Sequence, residues 1–417
     1  MAQTTDTLIH PRMLAGTDAA HPVAWPGSIA TVKPGAGIEL TLHRDMAAAE
    51  TDWRAFEQVA DCTPFQTFGW LATWDRHIGQ PDGIRPAIVI GRRRGEIKFL
   101  APLAVVPDRF ARRLSWLGQD LCDYNAPLLA PGFADTLGAD EFAALWRDVR
   151  ELLQADPRLS HDIVELTKMP EKVGAQANPF LRLDAMLNPS GAYQATLGAD
   201  WQMFYSAKRS SSTRRRDRTK VKRLAELGEV RFVTPDAADT AGTLDTLVQQ
   251  KSRAFARMGV PDLFARPGYV AFFHEIAAAR DFVHISRLDV GATQAAVNLG
   301  LTFRDCYYHI LASYDDGEVS RFGPGAAHLR DLLRYAIERG LARFDFTIGD
   351  EPYKRDWCDA EQKLYDHVSA ASWRGELIAL FSIARRRIKR GIKHNAWLWS
   401  AVVRTRATLG LLRKRDE

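Results

Sequence analysis

Hydrophobic positions along this chain alternate between the two periods that distinguish strand from helix. Residues 38–42 alternate as a strand, and residues 46–60 carry the 3.6-residue spacing of an amphipathic helix. The stretch FGWLATWDRHIG continues as a helix that sets Trp70 and Trp74 four residues apart on one face. RPAIVIGRRRGEIKFLAPLAVVP then places two apolar runs around a basic, Gly-containing turn, the pattern of a β-hairpin. RRLSWLGQDLCDYNAPLLAP reads as a further strand pair, residues 140–155 as a helix and HDIVELTKM as a strand.

Residues 178–198 are rich in Pro, Gly, Asn and Ser, which marks a domain boundary. Beyond it the order returns. A helix over 200–228 leads to the strand EVRFV, and helices over 238–258 and 269–280 follow. FVHISRL, AAVNLGLTF and CYYHILASY read as successive antiparallel strands, and a helix over 325–339 precedes the strand ARFDFTI. Each half is thus helices, a strand meander, a helix and a final strand, which predicts a duplicated α/β unit. The expected division is a loose tail over 1–37, one domain over 38–190, a second over 191–371 and a separate C-terminal segment over 372–417.

At 417 residues the chain suits two domains rather than one. It has no run of about 18 uncharged apolar residues that would span a membrane, and no basic start followed by an apolar stretch that would act as a secretory signal. Cys62, Cys122, Cys306 and Cys358 are too scattered for a metal knuckle or a disulfide framework, so the expectation is a cytoplasmic protein with no metal. The net charge of +5 is unevenly held: residues 373–417 contain 12 Lys/Arg against three acids, a surplus of 9 that leaves the rest at −4.

The stretch SRFGPGAAHLRDLL puts two glycines and a proline directly before a helix whose Leu329, Leu332, Leu333, Ala336 and Ile337 form one apolar stripe. The first turn of a helix carries unpaired N–H groups and a partial positive charge, which suits phosphate. Gly323 and Gly325 remove the side chains that would hold a diphosphate away, and Ala326 adds little bulk. Pro324 suits a helix start. A Gly/Pro turn that merely begins a helix has the same sequence.

Strand, Gly-rich loop, amphipathic helix and strand in this order resemble the acyl-CoA-binding core of GNAT acyltransferases, where a Q/R-x-x-G-x-G/A pattern lies between strand and helix. Ser320 stands at the Gln/Arg position, while Gly323 and Gly325 keep both glycines. LLRYAIERGLARFDFTIGDEPYKRDW resembles the end of the CelD-like branch, which is related to the FemAB-type transferases built from two fused GNAT units. TPFQTFGWLATWDRHIG, LGQDLCDYNAPLLAP and RRRDRTKVKRLAELGEVRF look similar to the same family, so the resemblance covers residues 38–371. It implies an α/β (α+β) fold of two tandem GNAT-like domains, each a mixed, mostly antiparallel sheet flanked by helices. The N-terminal one is expected to shape an acceptor cleft. The C-terminal one is expected to hold acetyl-CoA or another acyl-CoA on Arg321, Phe322, Gly323, Gly325 and Ala326.

Acyl transfer from a thioester to an amine needs donor and acceptor held together, a group that takes a proton, and stabilisation of the carbonyl oxygen. In GNAT enzymes a strand N–H near a bulge commonly serves the carbonyl. Asp345 is a candidate base or acceptor-orienting group, or else an ion-pair partner. His309 is a candidate proton acceptor, or else a packed histidine. By the resemblance, Lys354 faces donor phosphate or developing negative charge, and Tyr353 returns a proton to the thiolate. Asp350 and Trp357 in the same segment, with Asp123, Tyr124 and Asn125 from the first half, are candidate acceptor contacts. The last three also fit a surface turn.

Two basic regions remain. Nine Lys/Arg with Asp217 as the one acid lie between Lys208 and Arg223, suited to a phosphorylated carrier, a lipid head group or tRNA, or to a solvated helix face. In the C-terminal segment Leu377, Leu380, Phe381, Ala384, Ile388 and Ile392 form an apolar stripe beside Arg385, Arg386, Lys389, Arg390 and Lys393, with Trp397 and Trp399 beyond. This pattern fits a helix lying on an anionic membrane surface through residues 377–415, a helix packed on the body, or a disordered end. The leading expectation is an N-acyltransferase that moves an acyl group from acyl-CoA to an amino sugar or another envelope or exopolysaccharide precursor. A FemAB-like transferase using aminoacyl-tRNA and a non-catalytic adaptor of a polysaccharide assembly complex are the alternatives.

Overall fold

The structure is a computed structural model that describes residues 30–32, 37–279 and 282–394. The chain divides into two units, one formed by residues 190–362 and the other by the residues up to 189 together with 363–390. Of the tail expected over 1–37, residues 1–29 and 33–36 lie outside the described residues, whereas Ala30–Val32 is a strand paired with Glu39–His43.

The first unit contains a nine-stranded sheet with the order Ala30–Val32, Glu39–His43, Arg85–Arg93, Glu96–Val106, Arg113–Trp116, Ile163–Pro170, Leu364–Ala370 and Ala185–Leu187, and Leu128–Leu129 pairs off this path. The expected hairpin closes through Arg94 and Gly95, both at positive φ (55° and 84°). Such a two-residue turn matches the twist of the flanking strands. One pairing in this sheet, Arg113–Trp116 with Ile163–Pro170, is parallel. The connection it requires is the helix Ala139–Gln154, whose Phe142, Leu145, Trp146, Val149 and Leu153 are buried on one face. Trp70 and Trp74 are both buried, as the helical spacing predicts. The strand pair expected within residues 112–131 is instead one strand, Arg113–Trp116, a short 3-10 turn and the two-residue Leu128–Leu129.

The second unit repeats this plan in a seven-stranded sheet: Val230–Val233, Val283–Val290, Thr293–Phe303, Cys306–Tyr314, Arg343–Ile348, Ala192–Thr196 and Ala360–Gln362. Its single parallel pairing joins Cys306–Tyr314 to Arg343–Ile348, connected by the helix Pro324–Glu338. The helix expected over 200–228 is two helices, Trp201–Lys208 and Ser211–Leu227, because the Ser210 hydroxyl accepts the Thr213 N–H (3.2 Å) and starts a new helix. The core of this unit gathers Phe204, Tyr307, Leu332, Leu333, Phe344, Phe346 and Trp357.

Leu364–Ala370, expected within the second domain, pairs antiparallel with Ile163–Pro170 and so belongs to the first sheet. Asp366 explains why. It is fully buried, accepts the Lys168 N–H (3.0 Å) and the Asn188 amide (2.8 Å), and pairs with Arg386 of the helix Trp373–His394. That helix therefore packs on the first unit, with Ala379, Ile378 and Ile383 against Ile163 and Val368. Asp366→Ala would leave two N–H groups without their acceptor and the largely buried Arg386 guanidinium with Glu165 alone. The expected cost is about 3–5 kcal/mol, read as a lower denaturant midpoint, with Asp366→Asn recovering part of it.

Candidate functional site

Gly323 is the N-cap of the helix Pro324–Glu338 and sits at φ +68°, a conformation in which glycine carries no steric penalty. The Gly323 N–H is not free: it donates to the Ser320 carbonyl (3.0 Å). The Ala326 and Ala327 N–H groups share the Gly323 carbonyl, both at 3.2 Å. The Gly325 N–H has no partner among the described residues, and it opens the positive end of the helix. A Cβ at Gly325 would touch the Tyr314 ring at 3.4 Å, and one at Gly323 would lie 3.6 Å from the Lys220 ammonium. Lys220 belongs to the basic helix Ser211–Leu227. Asp217, the one acid in that run, is buried, accepts the Tyr205 hydroxyl (2.7 Å) and pairs with Arg330 of the loop helix (3.3 Å). The anchor fixes the rotation of the basic helix, so Lys220 comes beside the glycine loop. Arg321 is exposed, Phe322 is half-buried, and Ala326 is exposed at the rim.

The strands on either side of the loop helix pair over three residues, Cys306 to Tyr308 with Arg343 to Asp345, and then part. At the point of parting, the register with the preceding strand shifts: Leu299 faces Leu311, Gly300 faces His309, and Ile310 is the extra residue of a β-bulge. Two hydrogen bonds and one glycine hold it. The Tyr307 hydroxyl donates to Asn298 (2.7 Å), Asn298 donates to the Leu311 carbonyl (2.9 Å), and Gly300 leaves room for the Tyr307 hydroxyl, which would lie 2.3 Å from a Cβ there. On the opposite strand Asp345 accepts the Thr347 N–H (2.7 Å) and holds Thr347 at φ +57°, turning the chain away.

Together these make a parallel pair that opens at a bulge, with a glycine-started helix between. The family model described as an acetyltransferase (GNAT) domain matches residues 211–355. Residues 211–355 are a GNAT domain. FemX shares the fold at 11% identity and a TM-score of 0.55, over 79% of this chain and 97% of its own. A protein titled the C-terminal domain of a putative lysylphosphatidylglycerol synthetase, from Agrobacterium fabrum, aligns at 11% identity and a TM-score of 0.48, over 82% and 97% of the two chains. A tandem GNAT protein from the clavulanic acid biosynthesis pathway aligns at 13% and 0.45, over 80% and 99%. No curated protein matches the sequence.

Several residues expected to act in the GNAT domain are instead held by the protein itself. Lys354 is buried and does not face an open site: its ammonium donates to the Ile348 (2.9 Å) and Thr347 (3.3 Å) carbonyls and lies 2.9 Å from Glu351. Gly349, at φ +133°, makes room for that pair. Asp345 is fully buried and takes the Gln194 amide (2.7 Å) as well as the Thr347 N–H, so it shapes the turn. His309 is buried against Phe344 and Phe346, and burial, with the Lys354 and Lys251 ammoniums, lowers its pKa to about 3. A ring so reluctant to be charged is a poor proton acceptor. Burial raises the Tyr353 hydroxyl far above its ordinary range, so it stays protonated. Trp357 stacks on Phe204 and Tyr205 with Arg209 over its face, which closes it to substrate. Asp350 is half-buried, 3.4 Å from the Tyr193 hydroxyl.

Asp123, Tyr124 and Asn125 lie in the first unit. Tyr124 and Asn125 are buried rather than on a surface turn: the Tyr124 carbonyl accepts from Gln66 (2.7 Å), and Asn125 bonds the Thr167 and Lys168 carbonyls (3.1 and 3.0 Å). Asp123 is half-buried beside them. Among the described residues no group of His, Cys, Asp and Glu could hold a metal ion.

Sequence reading missed Lys251. It lies in the helix Ala237–Met258, next to Gln250, whose side chain bonds Ser313 of the bulged strand (2.8 Å). The Lys251 side chain is buried, with its ammonium 5.8 Å from the centre of the Phe255 ring. Burial lowers its pKa to about 8, with Glu351 opposing and Lys354 assisting. Such an amine is partly neutral near physiological pH and can take the proton that an attacking amine gives up as its C–N bond forms. Because only the neutral amine accepts, thiol release from an acyl-CoA should rise with pH through about 8. Lys251→Met should lower kcat by roughly 100-fold or more and erase that limb of the pH profile while KM for the donor holds. An unchanged profile would remove Lys251 from the chemistry.

Proposed function

We propose that the protein is an N-acyltransferase that carries an acyl group from acyl-CoA to a primary amine. The observation that carries this reading is the open parallel strand pair with its Ile310 bulge beside the Gly323 loop. The diphosphate of the donor would meet the start of the loop helix and the Lys220 ammonium. Its acyl-pantetheine arm would run between the parting strands, where bulged backbone leaves amides for the thioester carbonyl. The acceptor nitrogen attacks that carbonyl, a C–N bond forms, the C–S bond breaks, and Lys251 takes the proton lost by nitrogen and passes it on to the departing thiolate. The CelD-like resemblance favours an amino sugar or another carrier-linked envelope or exopolysaccharide precursor as acceptor, met on the cytoplasmic side of the membrane.

The exposed cations of the helix Ser211–Leu227 favour a second reading, a FemAB-like transfer from aminoacyl-tRNA, because turned-out arginines and lysines suit a polyanionic donor. Calorimetry with CoA and a free-thiol assay with acetyl-CoA and amino-sugar acceptors separate the two. Binding of CoA and acceptor-dependent thiol release are expected, both lost in Gly325→Trp, whose ring would fill the loop against Tyr314. Tight, salt-sensitive tRNA binding with no CoA binding would replace acyl-CoA by aminoacyl-tRNA. Normal cellular function of Gly325→Trp would point to an adaptor.

A further inference from the structure

The helix Trp373–His394 is packed on one side only. Gly375 fits against the Asp162 carbonyl, where a Cβ would lie 1.8 Å away, and Ala379, Ile383 and Arg386 continue the same face onto the first unit. The 3.6-residue turn puts Trp373, Leu377, Leu380, Phe381 and Ile388 on the opposite side. There they are 74%, 71%, 66%, 70% and 62% exposed. Arg374 and Arg385 flank this stripe on one edge and Arg387 on the other, all exposed, with Glu376 the one acid of the helix.

We propose that this stripe is a docking surface for an anionic lipid bilayer, with the helix lying flat in the head-group layer. An apolar stripe edged by arginines matches a hydrocarbon boundary edged by phosphates. A second copy of the chain is a poorer occupant. Trp373 to Ile388 spans about 22 Å. A strip of that length and one helix face in width offers roughly 200–300 Å², well short of the roughly 800 Å² per partner of a stable protein interface. Beyond the described residues the sequence carries five more Lys/Arg, Arg404, Arg406, Arg413, Lys414 and Arg415. No described helix is long and apolar enough to cross a membrane, which leaves surface docking as the way this helix meets lipid. The inference does not depend on the acyl-transfer reading, because no residue of the stripe belongs to the GNAT domain.

Co-sedimentation of the full chain with vesicles of phosphatidylcholine alone, or with about 30% phosphatidylglycerol, tests it. Binding to the anionic vesicles is expected, weakened by salt. Leu380→Glu with Phe381→Glu should weaken binding at least tenfold. Arg385→Glu with Arg387→Glu should do the same. Both pairs should leave the thermal midpoint and CoA binding unchanged, since the replaced side chains point into solvent. Failure to bind either vesicle, or equal binding by wild type and both variants, overturns the proposal. A wild-type dimer in sedimentation velocity that Leu380→Glu with Phe381→Glu dissociates also overturns it and assigns the stripe to a second copy.

Discussion

Two parallel strands that hydrogen-bond for three residues and then part are the constraint on which the second unit is built. A sheet has no reason to open by itself, because each lost rung leaves backbone groups without partners. Here both strands are turned by side chains. On one, the Tyr307 hydroxyl, Asn298 and the Leu311 carbonyl form a chain of hydrogen bonds that fixes the bulge at Ile310, and Gly300 is the position that lets the Tyr307 hydroxyl reach inward. On the other, Asp345 spends its buried carboxylate on the Thr347 amide and so holds a non-glycine residue at positive φ. Polar groups buried for shape rather than for contact with substrate explain why this region looked catalytic in sequence.

The first unit is the control for that argument. It has the same order, the same single parallel pairing and the same crossover helix, yet that pairing rests on a strand of four residues. Its crossover helix begins at Gly138 with Asp140 and Glu141 in the first turn, and Glu141 folds back to accept the Gly138 N–H (2.9 Å). The helix start is thus filled by its own carboxylate, the ordinary capping solution. The loop helix of the second unit has no acid in its first turn, and Lys220 stands beside it. Duplication supplied two frames, and the sign of the charge at one helix start separates a frame suited to a phosphate from one closed to it.

Much of this plan was legible in the sequence, because periodicity reports burial directly. The hairpin through Arg94 and Gly95, the paired Trp70 and Trp74, the meander and the loop helix all follow from spacing. The strand Leu364–Ala370 was assigned to the second unit because proximity in sequence stood in for proximity in space; only the buried Asp366, joined to Lys168, Asn188 and Arg386, reveals its true sheet. The same limit applies to the site. Lys354 and Asp345 carry chemistry-bearing side chains, but their partners are nearby backbone atoms together with Glu351 and the sequence-distant Gln194, which no motif displays. Lys251 carries no motif at all. Its interest comes from burial beside Lys354 and Glu351, a property of the folded chain, reached from a helix about a hundred residues away from Glu351.

That burial has a further consequence. Around His309 and the turn after Arg343–Ile348, two lysines and one glutamate are shut away from water. With Lys354 pinned by two carbonyls and Glu351, the remaining imbalance falls on Lys251, and the cheapest relief is to shed its proton, which is the direction in which its pKa moves. The imbalance also has a second form of relief, the arrival of negative charge. A thioester carbonyl that gathers electron density during attack would supply it, so the cluster that keeps Lys251 ready to take a proton is the one that favours the charge formed when the proton is lost. In the acyl-transfer reading proposed above, a group held partly neutral by poor solvation and the Lys354 ammonium would regain its affinity for a proton as that negative charge develops, so proton uptake and carbonyl attack would reinforce each other in one buried place.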